Sequence, residues 1–413
     1  MEKKTGFYGL CTSGFLARAS YALARTPVLA LFAASFGVGP EAIGFAVAIS
    51  TVTGVFFKMP AGVISDIIGR RRTMLVGLTF FAVIPFLYLL VDSYNSLLLV
   101  RFLHGFATAI YGPVIMAVVI DMAGERRGEM LSTFSSVTIV GNLIGAPLGG
   151  FLLTRLAGGG TQELVHYHII YGIVAALGMV SLIAGIWASK DLRAKETDAK
   201  LGKAALSAVF QHFFHSLKNI LTDRRIIVTS NMEGVQNLSV GAMEAFMPIY
   251  MVMVLGFSEF EAGLLWGIQI FVTIIAKPLM GKISDRHGRS PLLFWGMFVC
   301  AAPFAMIPWV SDFYLLLGLA AVFGLGEAIV SSSSAAMVAD FCKEDNIGSA
   351  MGVFGTLYDV GHATGPILAG VLIGLSSGQD FRLAFAIIAG ILVASAFLFS
   401  REIMFRKQTD RHF

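Results

Sequence analysis

Charged residues are scarce in this chain of 413 amino acids. Asp, Glu, Lys and Arg make up 14% of it, whereas an ordinary soluble domain contains about 25%. Hydrophobic residues make up 56% of the chain, and its mean hydropathy is +0.78. This composition excludes an ordinary soluble protein and predicts one that crosses a membrane many times. The net charge of +4 is spread over short loops, so we expect a lipid bilayer and no nucleic acid as partner.

Cysteines and the common cofactor motifs are also rare or missing. Cys11, Cys300 and Cys342 lie in or at the ends of apolar segments, which argues against a disulfide framework. No Gly-x-x-x-x-Gly-Lys-Ser/Thr string occurs, so the sequence has no phosphate-binding loop with which to use ATP. No group of Cys and His residues has the spacing of a metal site. We therefore predict a protein that uses no cofactor or metal and is not an enzyme.

Long apolar segments are abundant. Twelve of them are long enough to cross a bilayer as a helix, in two sets of six. The first set comprises residues 7–35, 41–64, 73–91, 97–120, 129–155 and 165–188, and the second comprises 226–255, 259–281, 292–310, 313–340, 348–375 and 381–400. These segments predict an all-α membrane protein of two six-helix bundles, at residues 1–188 and 226–413, joined by a linker at 189–225.

The linker has two parts of different composition. Residues 190–203 are charged and lack a long apolar run, so we expect a flexible cytoplasmic segment. Between Leu206 and Leu221 apolar residues recur at helical spacing, and polar residues take the other face. This pattern predicts an amphipathic helix on the inner membrane surface.

Lysine and arginine are distributed unequally between the two sets of loops. If both termini are cytoplasmic, the inner loops hold 23 of the 30 basic residues and the outer loops hold only Arg155 and Arg382. Cytoplasmic loops of membrane proteins are enriched in these residues. We therefore expect both termini inside, in a cell inner (plasma) membrane.

A charged turn occurs once in each half of the chain. The first copy reads Gly-Val-Ile-Ser-Asp-Ile-Ile-Gly-Arg-Arg-Arg from Gly62 to Arg72. The second reads Gly-Lys-Ile-Ser-Asp-Arg-His-Gly-Arg from Gly281 to Arg289, and corresponding residues are 219 positions apart. The repeat indicates two homologous halves. It resembles the signature loop between the second and third helices of the major facilitator superfamily, although Ile67 stands where that signature usually has a basic residue.

Two further segments carry the same resemblance, which extends over nearly the whole chain. Arg101-Phe-Leu-His104-Gly105 is similar to the arginine motif of proton-coupled facilitators. Gly141-x-x-x-Gly145-Ala-Pro147-x-Gly149-Gly150 is similar to the glycine-proline motif of the drug:proton antiporter branch. Small residues on one stripe allow helices to approach closely. The second half repeats this segment as Gly361-x-x-x-Gly365-Pro366.

The resemblance implies a monomeric transporter with a central cavity that opens alternately to the two sides of the membrane. It also implies a cytoplasmic gate at the repeated turns. The residues expected to form this gate are Gly62, Asp66, Gly69 and Arg70 in the first half and Asp285 and Arg289 in the second.

The first span departs from that antiporter branch, whose cation exporters usually keep an acid there. It has Arg18 and Arg25, which lie two turns apart on one helix face together with Tyr21. These arginines either snorkel or form fixed ion pairs, or they line the cavity and attract an anionic substrate. Lys58 and Lys277, which match across the halves, are open to the same two interpretations.

Acidic residues lie inside three spans of the second half: Glu233 and Glu244 in the seventh, Glu327 in the tenth and Asp359 in the eleventh. Glu244 is 219 positions from Arg25, so the repeat places the two at equal depth, and we expect protonation of Glu244 to couple transport. Glu327 and Asp359 are the next candidates, and Asp359 could share a proton with His362. Arg101 and His104 could control a proton in the same way, while Asp121 and Asp340 match at inner helix ends and suit a structural role. The remaining residues expected to line the cavity are Gln236, Asn237 and Gln269.

These observations predict a proton-coupled secondary transporter of a small organic molecule. The resemblance to the antiporter branch favours export in exchange for protons. The arginines of the first span favour an alternative, which is proton-coupled uptake or exchange of an organic anion. A membrane receptor with the same fold would need a large extra domain, and no loop is long enough to form one.

Overall fold

The computed structural model describes residues 2–123, 126–158, 160, 162–190, 223–342, 347–376 and 380–404. Every regular element within these ranges is a helix. The predicted linker lies outside the described residues except at its two ends, and the predicted amphipathic helix lies wholly outside them. The first-half helices are α1 (Glu2–Arg25), α2 (Val28–Ala34), α3 (Pro40–Ile68), α4 (Arg70–Leu87), α5 (Tyr94–Ala123), α6 (Arg127–Ala157) and α7 (Leu164–Ala188). The second-half helices are α8 (Arg224–Ile249), α9 (Glu259–His287), α10 (Arg289–Met306), α11 (Phe313–Phe341), α12 (Ile347–Leu375) and α13 (Phe381–Phe399).

The helices confirm the predicted all-α class and coincide with the predicted spans. Ten helices in the described ranges are long and apolar enough to cross a membrane. The first span, which is split into α1 and α2, and the eleventh, which is α12, complete the predicted twelve. Short turns extend some spans, as the π-helical turn Tyr250–Val254 does for α8.

The chain divides into two compact units. In the described residues, the first unit consists of 2–190 and Met251–Leu264, and the second consists of 223–250 and 265–404. The start of α9 belongs to the first unit because Glu259 accepts hydrogen bonds from Gln162 and from Thr154 Oγ1, the latter at 2.7 Å.

Equivalent helices pack together inside each unit. In the first unit α1 packs on α6, and α4 packs on α5 and α7. In the second unit α8 packs on α12, and α10 packs on α11 and α13. Each unit therefore shows the internal repeat that the sequence predicts.

Glycine stripes bring the paired helices close together. A methyl group at Gly145 of α6 would lie 2.7 Å from the carbonyl oxygen of Ala19 on α1. A methyl group at Gly361 of α12 would overlap with the carbonyl oxygen of Gly234 on α8. Real side chains do not tolerate such contacts, so these positions accept glycine alone at this helix separation. The small residues thus have the packing role that the sequence predicts.

Aspartate caps fix where three second-unit helices begin. The carboxylates of Asp223, Asp312 and Asp380 each accept a backbone N–H hydrogen bond from the first turn of α8, α11 and α13, respectively. Such caps satisfy N–H groups that have no partner within the helix. Partial burial alone would raise the pKa of Asp223, but hydrogen bonds from Arg225 outweigh it and hold this pKa below its ordinary value.

Candidate functional site

The two charged turns have the same backbone geometry. Gly69 has φ +100° and Gly288 has φ +93°, a region that favours glycine, and each separates two helices. Gly62 and Gly281 lie two turns earlier, on α3 and α9. The repeated glycines thus allow the chain to turn between adjacent spans in a few residues.

Each turn also carries an arginine that binds the end of a neighbouring helix. Arg70 lies 3.0 Å from a carboxylate oxygen of Asp121 on α5. Arg289 lies 3.0 Å from Asp340 on α11 and 3.2 Å from Asp285. Arg70 and Arg289 are related by the 219-residue repeat, and so are Asp121 and Asp340.

These contacts show that the gate arginines pair with residues outside the two turns as well as within them. In the second half the two predicted gate residues Asp285 and Arg289, which are four positions apart, form an ion pair. In the first half the side chain of Asp66 lies outside the described residues. The contact from each arginine to the adjacent helix links residues about 50 positions apart, which local spacing cannot indicate. It gives Asp121 and Asp340 the structural role that the sequence suggests.

We expect Arg289→Gln and Arg70→Gln to slow transport tenfold or more with little loss of stability. Partly exposed ion pairs contribute only about 0–1 kcal/mol to folding. We therefore expect the two substitutions to act mainly on the movement of the helix ends during transport. Transport by reconstituted protein and thermal unfolding in detergent would measure the two effects. Arg126→Gln is a matched control, because Arg126 forms an exposed ion pair with Glu129 on the same predicted side of the membrane. Equal slowing by the control would contradict a specific gating role.

A buried cation ties two helices of the first unit together. Arg101 on α5 is 1% exposed. Its guanidinium donates hydrogen bonds to Ser50 Oγ at 2.5 Å and to the carbonyl oxygens of Ala46 and Val47 at 3.3 Å each, all on α3. Among the described residues, no carboxylate lies within 4.0 Å of it. Neutral oxygens therefore hold this charge in place.

His104 occupies the next turn of α5 and is fully buried. Its Nδ1 lies 3.2 Å from the hydroxyl oxygen of Tyr88, whose ring stacks on that of Tyr171 at 3.9 Å between centroids. Its Nε2 has no hydrogen-bond partner in the part of the chain that the structure describes. His104 thus belongs to a packed aromatic cluster with Tyr21 and Tyr88, and the role of Arg101 and His104 in proton control stays a prediction.

The predicted cavity residues of α1, which are Arg18, Tyr21 and Arg25, form one stripe along the helix. The guanidinium of Arg25 lies 5.6 Å from the centre of the Tyr21 ring, a cation–π contact. Arg18 is partly buried and interacts electrostatically with Tyr111 on α5. Within the described residues, Arg18 forms no ion pair under 4.0 Å. This stripe is the cationic region of the first unit.

A buried acid–histidine pair joins α8 to α12 in the second unit. Glu244 Oε2 lies 3.0 Å from His362 Nε2, and the two residues are 4% and 8% exposed. Asp359, also buried, lies one helical turn before His362. Pro248 and Pro366 follow Glu244 and His362 by four residues, and neither proline can donate the helical hydrogen bond that those two carbonyls would normally accept. The pair therefore lies where both helix backbones are weakened.

A second buried carboxyl lies nearer the start of α8. Glu233 is 3% exposed and accepts hydrogen bonds from Ser334 Oγ on α11 at 2.7 Å and from Asn237 Nδ2 at 3.4 Å. The same Asn237 amide donates to Gln236 Oε1 at 3.1 Å. Sequence reasoning noted Glu233 but left it out of the predicted site. Its i,i+3 and i,i+4 spacing to Gln236 and Asn237 was the signal that could have included it.

The third carboxyl is Glu327 on α11. Its Oε2 accepts hydrogen bonds from Gln269 Nε2 and from Thr273 Oγ1, the latter at 3.3 Å. Lys277, two turns after Gln269 on α9, acts electrostatically on both Glu327 and Glu233. Four helices of one unit therefore bring together residues that the sequence predicted separately. Thr273 was missed, because a single hydroxyl residue in an apolar span gives no distinctive pattern. Ser334 ends the run of four serines from Ser331, a pattern that fits either hydroxyls supplied to the cavity or small residues at a helix contact.

Interior charges are segregated between the units. The spans of the first unit carry Arg18, Arg25, Lys58 and Arg101, and their acids lie only near helix ends. The second unit carries Glu233, Glu244, Glu327 and Asp359 with Lys277. Among the described residues, no cluster of three or more His, Cys, Asp or Glu could hold a metal ion. The site can thus exchange protons and form hydrogen bonds or ion pairs with a ligand.

Comparison with known proteins identifies the sequence family. The profile of the Major Facilitator Superfamily matches residues 10–268 and 232–411. The two matched ranges together cover nearly the whole chain, and the second lies mostly in the second half.

Individual relatives are distant and differ in their names. An uncharacterised MFS-type transporter of Methanocaldococcus jannaschii is 22% identical over 89% of this chain and 92% of its own length. The D-arabinitol transporter of Klebsiella pneumoniae is 23% identical over 82% of this chain and 79% of its own. The multidrug transporter MdfA of Yersinia pestis biovar Antiqua strain Angola is 26% identical over 79% and 78% of the two chains. These names do not agree on one substrate.

A solved structure shows the same fold at low sequence identity. The nucleoside transporter NupG superposes with a TM-score of 0.79 at 15% identity, over 96% of this chain and 98% of its own. The likeness confirms the predicted fold of two six-helix bundles.

Proposed function

The chain belongs to the major facilitator superfamily, and from that premise we propose that it is a proton-coupled transporter that exports a small organic molecule. The buried Glu244–His362 pair is the observation that carries the proposal. A carboxyl and an imidazole 3.0 Å apart are close enough to pass a proton between them, and each proton that the pair gains or loses changes its charge by one. A buried change of charge alters the energy of the surrounding structure strongly.

Two further observations support export by antiport. The glycine-proline segment on α6, which is typical of drug:proton antiporters, has the expected packing role. MdfA, a multidrug transporter by name, is among the relatives. We place the protein in a cell inner membrane with both termini cytoplasmic, because the basic residues concentrate in the loops on one side. It works by alternating access as a monomer.

The alternative is proton-coupled uptake or exchange of an organic anion. Its support is the cationic stripe of α1, where Arg18 forms no ion pair within 4.0 Å among the described residues. An anionic substrate would supply the opposite charge that such a cation favours. The two candidates differ in the direction in which protons drive the substrate.

Transport into proteoliposomes with an imposed pH difference separates these candidates. A panel of labelled organic compounds should contain at least one that accumulates when the vesicle interior is acidic, because outward proton movement then drives inward exchange. Accumulation only when the interior is alkaline would support uptake with protons instead. If no compound in the panel responds to either pH difference while the protein remains folded, proton coupling is contradicted.

A further inference from the structure

We propose that Glu233, Glu327 and Lys277, together with the Gln269 amide, form a binding site for a monovalent primary ammonium group in the second unit. The inference rests on the proposed function and names the substrate class for it. It also explains how a cation can be recognised when the first span carries arginines in place of an acid.

The two carboxyls of this ammonium site are held by neutral groups. Glu327 accepts hydrogen bonds from Gln269 and Thr273, and Glu233 accepts them from Ser334 and Asn237. Within the described residues, no Lys, Arg or His nitrogen lies within 4.0 Å of either carboxyl. Neutral donors position a carboxylate, but they leave its charge to be balanced by another group.

The charges in the site indicate that its ligand carries one positive charge. Ser334, which donates to Glu233, lies two turns after Glu327 on α11, and Lys277 lies one turn after Thr273, which donates to Glu327. Lys277 acts electrostatically on both carboxyls. Burial disfavours the ionised form of a carboxyl, so both carboxyls ionise together only when a cation balances their charge. With both ionised beside Lys277, two negative charges and one positive charge leave a net charge of −1 for that cation to balance. Burying net charge is unfavourable. One monovalent cation brings the site to zero, whereas an anion or a dication leaves it charged.

An unsatisfied amide oxygen next to Glu327 indicates what kind of cation fits. Gln269 is 2% exposed, and its Nε2 donates to Glu327. Its Oε1 has no hydrogen-bond donor among the described residues, and leaving a buried acceptor unpaired costs about 1–3 kcal/mol. A primary ammonium brings three N–H donors, enough for Gln269 Oε1 and a carboxylate together. A quaternary ammonium brings none.

The site is also accessible and electrically linked to the proposed coupling pair. The Lys277 side chain is exposed and that of Glu327 is partly exposed. His362, which contacts Glu244, acts electrostatically on Glu327. An extra proton on the Glu244–His362 pair therefore places positive charge near the bound ammonium and weakens its binding. By linkage, the ammonium weakens binding of that proton by the same factor.

Other titratable groups near the site are few among the described residues. Cys300 on α10 is affected electrostatically by both Glu233 and Glu327. Asp359 lies one turn from His362 on α12. The variants that test the site must therefore leave these two residues unchanged.

Three matched probes test the proposal: phenylethylamine, phenylethanol and 3-phenylpropanoate. Tritiated phenylethylamine should bind to the purified full-length protein in a scintillation proximity assay, and neither of the other two should displace it. Glu327→Gln and Glu233→Gln should each weaken its binding tenfold or more. Lys277→Met should strengthen its binding roughly tenfold, because it removes a like charge that repels the bound ammonium. Glu41→Gln, which alters an exposed carboxyl at the start of α3, should leave binding unchanged.

The Lys277→Met result guards against misfolding, since a damaged protein does not bind its ligand more tightly. The proposal is overturned if phenylethylamine does not bind the wild-type protein. It is also overturned if both glutamine variants bind it like wild type while eluting as single symmetrical species. Accumulation of 3-phenylpropanoate under a pH difference, without amine binding, would overturn this site and leave proton-coupled transport standing.

Discussion

Replacing Glu244 with Gln is expected to abolish the dependence of transport on the proton gradient while substrate still binds. Gln keeps the size and a hydrogen bond to His362 but cannot gain or lose a proton in this pH range. For exchange of one proton, a pH difference of one unit supports about a tenfold substrate ratio, because each unit is worth about 1.36 kcal/mol. The wild-type protein should approach that ratio in proteoliposomes, and Glu244→Gln should stay near a ratio of one.

Two comparisons make this result specific to the pair. Glu163→Gln alters the exposed residue that caps α7 and should transport like wild type. Counterflow, in which unlabelled substrate inside the vesicle drives entry of labelled substrate without a pH difference, should persist in Glu244→Gln. If the variant keeps normal proton-driven accumulation, the coupling role passes to Glu327 or Asp359.

Gly361→Ala is expected to have the largest effect on stability. The added methyl group would overlap with the carbonyl oxygen of Gly234, so α12 and α8 would have to separate along their contact. Overpacking of a buried contact commonly costs about 1–3 kcal/mol, and overlap with backbone atoms should place this change at or above the upper end. The midpoint of thermal unfolding in detergent should fall by several degrees.

The same substitution on the same helix supplies the control. A methyl group at Gly352 of α12 meets no atom within 4 Å, and Ala favours the helix over Gly by about 1 kcal/mol. Gly352→Ala should therefore leave the unfolding midpoint unchanged or raise it. Equal losses at the two positions would show that helix flexibility, and not close packing against α8, explains the effect.

The fold could be predicted from the sequence because it depends on patterns that are local or that recur in both halves of the chain. Apolar length predicts a span, and a span in lipid must be a helix to satisfy its backbone hydrogen bonds. The glycines at 69 and 288 mark turns that recur 219 positions apart, and both adopt the expected positive φ. Gly145 and Gly361 likewise lie on the helix faces that the small-residue stripes predict.

The site was harder to predict from the sequence, because its contacts depend on how each helix is rotated about its axis. Glu244 and His362 are 118 positions apart, and no periodicity indicates that their side chains meet. Arg101 was expected to help control a proton, and that role stays a prediction. The sequence did not indicate that Arg101 donates to two carbonyl oxygens of α3, because backbone acceptors have no sequence signature. The repeat related Glu244 to Arg25 in depth. His362, the partner of Glu244 within its own unit, could not be found in that way.

The single net charge of the ammonium site determines how the membrane voltage acts on transport. Exchange of one monovalent ammonium for one proton moves no net charge across the bilayer, so a voltage neither drives nor opposes it. Exchange of one proton for an uncharged molecule would move one charge per cycle, worth about 2.3 kcal/mol per 100 mV. A protein that carries Glu233, Glu327 and Lys277 together should therefore work equally well in energised and depolarised vesicles, drawing on the pH difference alone.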